Sequence, residues 1–129
     1  MAQIKIYGLR ETLKGTKSHW SDLIHNALVE TLGLPPEKRF QRFINLDAED
    51  FLFPPDRTYA YTIIEISLFE GRSPQVIKSL LNKIMADAQV ALNILANDIE
   101  ITVFETPRHC WGIRGQTGDD LQLSYKVGV

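Results

Sequence analysis

Apolar and polar positions change period several times along this chain, and each change marks an element. Ile4 and Ile6 alternate with their neighbours up to Gly8, the pattern of a first strand. The run from Arg10 to Lys17 is mostly polar and holds Gly15, so it reads as a loop. Ser18 then fits an N-cap, and Trp20, Leu23, Ile24, Ala27, Leu28 and Leu32 recur at helical spacing. Gly33 and the Pro35-Pro36 pair stop that helix. Arg39 to Leu46 predicts a second strand, with Phe40, Ile44 and Leu46 on one face and Phe43 on the other. Asp47 to Arg57 is acidic, then proline-rich, and reads as a loop.

Tyr59 to Phe69 predicts a third strand, because Thr62, Ile63, Ile64 and Ile66 are β-branched. Gly71-Arg72-Ser73-Pro74 turns that strand into a helix. Ser73 fits the N-cap, and Pro74 fits the first helical position, where a missing N–H costs nothing. Ile77, Leu80, Leu81, Ile84, Ala88, Ala91 and Leu95 make one apolar stripe, which Asn97-Asp98 is expected to close. Ile99 to Glu105 alternates as a fourth strand, and Pro107 breaks it. Leu121 to Val127 reads as a last short strand.

The order is β-α-β followed by β-α-β. The expected fold is α/β (α+β): a four-stranded sheet with two helices on one face, forming one domain over residues 1–129. Strands joined through a helix pair parallel, by right-handed crossovers. The uncovered face should carry Lys5, Tyr7, Gln41, Phe43, Asn45, Ile63, Glu65, Ser67, Thr102 and Phe104. That mixture is too aromatic for water and too polar for a monomer core, which suggests burial against other subunits. A one-residue slip in any strand would invert its share of the face.

Composition narrows the class. With 44% hydrophobic residues and 23% charged ones, the chain can bury a core. A net charge of -2, without a basic run, argues against a nucleic-acid partner. No apolar stretch is long enough to span a membrane, and the N-terminus has no signal-peptide pattern. Cys110 is the single cysteine, so no internal disulfide forms. These features together suit a cytoplasmic protein.

Arg72 is the sharpest candidate for chemistry. It sits between a strand end and a capped helix start, where free backbone N–H groups and the helix dipole favour an anion. Its planar fork suits a carboxylate; the alternative is a surface arginine on a turn. The segment from Pro107 to Gly115 gathers Arg108, His109, Cys110, Trp111 and Arg114. His109 and Cys110 are adjacent, so their side chains diverge, and an inert thiol is the simpler reading. Trp111 is a packing residue or a pocket wall. Lys38 and Arg39 are a second cationic element of a cleft, or solvated charge. Asp47, Glu49 and Asp50 read as a solvated acidic loop. His19 and His25 lack partners at ligand spacing, so no metal is expected. No phosphate-loop motif is present, and no cofactor is expected.

The assembled pieces resemble the tautomerase superfamily. The likeness rests on four features: a strand at the extreme N-terminus; Pro36 to Gln41 leading into the second strand; Tyr61 to Ser73 ending in Ile-Glu-Ile-Ser-Leu-Phe-Glu-Gly-Arg-Ser; and Asp98 to Ile101, running on to Cys110-Trp111-Gly112 and Thr117-Gly118-Asp119. Length and the tryptophan-containing tail look most like the malonate semialdehyde decarboxylase branch, and closer still to uncharacterised bacterial members with the same His-Cys-Trp-Gly ending. The resemblance implies a homotrimer with clefts between subunits. It also implies keto–enol tautomerisation, or related processing, of a small keto acid.

In characterised members, a proline following the initiator Met becomes the N-terminus and moves the proton. Here that position is Ala2. Its small side chain permits Met removal, leaving a primary α-amine as the candidate base. Such an amine, unperturbed, titrates near 7.7–8.0, so only about a tenth to a sixth is neutral at pH 7. By the same resemblance Arg72 holds the carboxylate, Arg39 is a basic residue at the second strand's start, and Trp111 matches a cleft aromatic. Lys38 stands where the decarboxylase branch has an essential aspartate. The alternative function is a non-catalytic homotrimer that binds a small carboxylate or a protein partner.

Overall fold

The computed structural model describes every residue from Met1 to Val129. Strand β1 (Ala2–Leu9) leads into helix α1 (Arg10–Leu32) and strand β2 (Gln41–Leu46). Strand β3 (Thr62–Phe69), helix α2 (Pro74–Leu92) and strand β4 (Ile99–Thr106) repeat that plan. A small hairpin follows, β5 (Gly112–Ile113) with β6 (Gln116–Thr117). The main sheet runs β2-β1-β3-β4. β1 and β2 are parallel, as are β3 and β4, and the two units meet antiparallel through β1 and β3. This is the α/β architecture expected from the chain's pattern.

One face of the sheet holds the core. Ile4, Ile6, Ile64 and Ile66 pack there beneath Trp20, Ile24 and Leu28 of α1 and Leu80, Ile84 and Ala88 of α2. Each buried aliphatic side chain of this kind contributes roughly 2 kcal/mol. Helix α1 stops where expected: Gly33 takes φ 67, a left-handed value that glycine adopts without strain, and its N–H caps the Val29 carbonyl at 3.0 Å.

Four local expectations change. The segment from Arg10 to Lys17 is not a loop; it is the first two turns of α1, and Ser18 lies inside the helix. Leu13 is fully buried and sits seven residues before Trp20, so it extends the apolar stripe by two turns. The slip lies in β2. Gln41, Phe43 and Asn45 pair with Ile4, Ile6 and Gly8, which puts them on the helix-covered face. Arg42, Ile44 and Leu46 instead lie on the open face beside Lys5, Tyr7 and Leu9. Helix α2 ends at Leu92, where Asn93 turns left-handed at φ 52, and Leu95 is 63% exposed. Asn97 and Asp98 belong to a separate 3₁₀ turn. Lastly, Leu121 to Val127 forms no strand; it packs irregularly, with Leu121 buried and Tyr125 against the core.

On the open face, Tyr7 donates to the Glu65 carboxylate at 2.6 Å. Phe104 is exposed there. No helix of the chain is long and apolar enough to cross a membrane.

Candidate functional site

The antiparallel pairing of β1 with β3 sets Ala2 opposite Leu68. The start of the chain is thereby fixed beside the end of β3 and the turn that follows it. In that turn, Gly71 takes φ 129, with Val127 of the tail packed where a side chain would begin. Ser73 caps α2, accepting from the Val76 N–H at 3.3 Å, and Pro74 follows as expected.

The turn's own backbone is less free than its sequence suggests. The Ser73 N–H donates to the Val129 carbonyl at 2.8 Å, the Val76 N–H is taken by the cap, and Pro74 has none. The expected backbone cradle is therefore largely filled by the protein itself. The Arg72 side chain differs. It is only 6% exposed, and its Nη1 donates to the Phe69 carbonyl at 3.1 Å. Nε and Nη2 are buried with no partner. Burial pulls the Arg72 pKa down, partly opposed by Glu105. A guanidinium stays charged nonetheless. A buried cation with two idle donors is costly unless an anion meets it.

The N-terminal amine lies within this field. Burial first, then the charges of Arg72, Arg108 and Arg114, bring the Met1 amine from 8.0 down to about 5. At pH 7 it is then chiefly the free base, which reverses the arithmetic for an unperturbed amine. Beside it opens a cavity of ≈ 170 Å³ whose walls include Met1, Ala2, Lys38, Arg114, Leu121 and Tyr125. A shallower hollow of ≈ 320 Å³ shares Met1, Lys38 and Arg114. The chain carries a net charge of -2, yet this end of the sheet gathers cations. The largest hollow, ≈ 460 Å³, lies at the other end of the sheet among Thr58, Tyr59, Asn93 and Asp98, and contains none of these cations.

The expected site residues divide. Ala2 and Lys38 line the cavity; Arg72 lines neither hollow, and its charge acts on the Met1 amine beside them. Arg39 lines neither hollow: its Nη1 reaches Asp22 at 2.7 Å and Ser21 at 3.0 Å on α1. Trp111 packs edge-on against Phe69 with centroids 5.1 Å apart, and its indole donates to Thr106 at 2.7 Å. It props the strand end near Arg72 without lining the cavity. Arg108 donates to the carbonyls of Gly118 at 3.0 Å and Leu121 at 2.8 Å, and lies over the Phe69 ring. It therefore staples the tail to the end of β3.

Arg114 joins the amine and Lys38; in the sequence it stands only as one member of the Pro107 to Gly115 segment. The signal was Arg114-Gly115 between two short extended pairs, a hairpin tip. Tyr125, in the irregular tail, offered no such signal.

Comparison with known proteins agrees with this fold. A family model described as tautomerase enzyme matches residues 38–114. A solved malonate semialdehyde decarboxylase superposes with a TM-score of 0.77 at 16% identity, covering 88% of this chain and 92% of that one. Another, inhibited by 3-bromopropiolate, gives 0.75 at 23% identity, covering 85% and 87%. A fused 4-OT, an asymmetric trimer, gives 0.79 at 18% identity, covering 91% and 96%. At these identities the superpositions establish a shared fold. The matched stretch contains Lys38, Arg72 and Arg114, while the amine and the tail lie outside it.

Proposed function

This chain belongs to the tautomerase superfamily, and from that premise we propose that it enolises a small 2-oxo acid, using its free N-terminal amine as the base. The observation that carries the reading is the pairing of that amine, at about 5, with a buried Arg72 that has two idle donors. In the reaction the amine lone pair takes a proton from the carbon beside the ketone. The C–H electrons form the new C=C bond, and the carbonyl oxygen gathers negative charge. Arg72 holds the carboxylate and stabilises that charge, which is the larger part of the catalysis. Transfer of that proton from the ammonium to the enolate oxygen gives the enol and restores the free amine, with no net redox change.

Position two holds Ala2 in place of the proline that serves relatives as the base. Removal of Met1 would make the Ala2 amine the base, and that amine is primary. A primary amine can also condense with the ketone to an imine, losing water. Intact mass assigns the base: retained Met1 excludes Ala2. Reduction with cyanoborohydride beside pyruvate tests the imine route. An adduct on the N-terminal peptide supports it, and an unmodified peptide removes it.

A second reading, a non-catalytic carboxylate-binding trimer, is favoured by the same Arg72 and does not need the amine. A thermal-shift screen of small organic acids followed by turnover of the hits separates the two. A ligand at a hundredfold excess over Kd stabilises by about 2.7 kcal/mol. Stabilisation with turnover supports the enzyme, and stabilisation without turnover supports the binder.

A further inference from the structure

The hollow of ≈ 460 Å³ at the far end of the sheet shares no lining residue with the two beside Met1. Its volume falls within the roughly 300–1,000 Å³ that small-molecule sites span. The start of α1, the end of α2 and the turns before β3 and β4 meet there. Its polar groups are almost all acceptors. Asp98 is 1% exposed and enters no ion pair. Its carboxylate takes the Thr58 N–H at 2.8 Å and the Thr58 hydroxyl at 2.6 Å, which fills two of about four acceptor positions. Glu11 adds a second carboxylate. Thr12 and Thr16 have given their hydroxyl protons to the carbonyls of Tyr59 and Thr12, at 2.7 Å and 2.8 Å, and keep only lone pairs. Helix α2 brings its negative end to Leu92 and Asn93, with no basic residue in its last turn. No lysine, arginine or histidine lines this hollow.

One donor stands among these acceptors. The Trp111 indole donates to Thr106, whereas the Trp20 N–H donates to no group of the chain. Trp20 is 1% exposed. Its N–H is nevertheless not among the enclosed unpaired polar atoms, which are Arg57 Nε, Arg72 Nε and Nη2, and Tyr125 Oη. The sliver of Trp20 that meets solvent is therefore its N–H, and this is the one hollow that Trp20 lines. Buried indoles ordinarily find a partner. We infer that this hollow is a second binding site, separate from the catalytic cavity, which takes a small organic ammonium with an apolar body and one hydrogen-bond acceptor. The ammonium answers the unpaired Asp98 carboxylate, and the acceptor answers the Trp20 N–H. Tyr59 and Leu95, large side chains left exposed here, give the apolar body a surface to cover. That apolar share suits an organic cation better than a hydrated metal ion.

Tyramine is the probe, because it carries an ammonium, a ring and a phenol oxygen. 4-Ethylphenol lacks the ammonium, and 3-(4-hydroxyphenyl)propionate has a carboxylate in its place. Titration calorimetry measures all three against the unaltered protein, Glu11→Gln and Asp98→Asn. Tyramine should bind the unaltered protein about tenfold more tightly than 4-ethylphenol, as one charged hydrogen bond implies, and the propionate most weakly. Asp98→Asn, whose amide oxygen still accepts from Thr58, should erase the preference for tyramine and leave 4-ethylphenol within about twofold. Glu11→Gln should reduce that preference less, since Glu11 is exposed. Proton–nitrogen NMR places the ligand: tyramine should shift the Trp20 indole N–H signal and leave that of Trp111, assigned by its loss in Trp111→Phe. If Asp98→Asn does not fold, Glu11→Gln and the indole signal decide. No binding of tyramine, equal binding of tyramine and 4-ethylphenol, an unchanged preference in both variants, or an unmoved Trp20 signal overturns the site. Equal loss of both ligands in a folded Asp98→Asn also overturns it. None of these outcomes touches the proposed role of the amine and Arg72.

Discussion

Arg72 is where composition and geometry disagree most usefully. Arginine is seldom buried, and here it is buried without an acidic neighbour in hydrogen-bond contact. A structural arginine would have its donors filled. The account therefore predicts an unusual pair of outcomes for Arg72→Met. Thermal unfolding should show stability unchanged or raised, because an unpaired buried charge is replaced by apolar volume. Binding of 2-oxo acids should fall at least about tenfold. A variant that loses stability and keeps binding would make Arg72 a scaffold residue. The amine gives a second prediction at this scale. With Met1 in place its pKa is lowered to about 5, so that amine accepts protons above that value and is blocked below it. kcat/KM should therefore be level near neutrality and fall as pH drops through about 5. A limb near 8 would mean that the amine is unperturbed or unused. Arg72 and Ala2 were legible in the sequence because one marks a strand-to-helix turn and the other replaces a proline. The amine's pKa was not legible, since it depends first on burial and then on arginines brought from two distant parts of the chain, Arg72 and the Arg108–Arg114 segment.

Among the elements, the helices carried the clearest and the least clear sequence signals. Helix α2 announces its start through Ser73-Pro74, and the structure has it there. Helix α1 hides its start, because Leu13 is its one buried residue before Trp20 and Gly15 lies between them. A hypothetical Cβ at Gly15 meets nothing within 4 Å. Gly15→Ala should then raise stability by about 1 kcal/mol, the usual difference between these residues inside a helix. Chemical denaturation checks this, and a loss of stability would contradict a helix running through that position. Strand β2 shows the opposite difficulty: Phe40, Phe43, Ile44 and Leu46 support either face, so periodicity alone could not set its register. The register is set instead by pairing with β1, and Gln41 is held by Ser21 of α1. The tail after Thr117 has no period to read. Its position comes from Arg108, whose guanidinium ties down Leu121.

At the scale of the whole molecule, one sheet face is covered by both helices and the other is bare. The bare face mixes Tyr7, Ile63, Glu65 and Phe104, and β2 contributes Arg42, Ile44 and Leu46. The exchange brings in Ile44 and Leu46 for Phe43 and also brings in Arg42, so the face keeps the mixture of apolar and polar groups that suggests subunits packing there. The superposed fused 4-OT is itself a trimer. For this chain, light scattering should give three times its mass of 14.7 kDa. Phe104→Glu, on the open face, should reduce that to the monomer mass. A monomer in the unaltered protein would leave the bare face unexplained.

The central claim is that a free amine and an arginine share one site and move one proton. Deuterium uptake from heavy water at the carbon beside the ketone of phenylpyruvate, followed by proton NMR, measures that step directly. Two samples suffice, the untreated protein and one whose N-terminal amine has been acetylated. The account predicts exchange well above the buffer rate in the first and exchange at the buffer rate in the second. Equal exchange in both, or none above buffer in either, would contradict it.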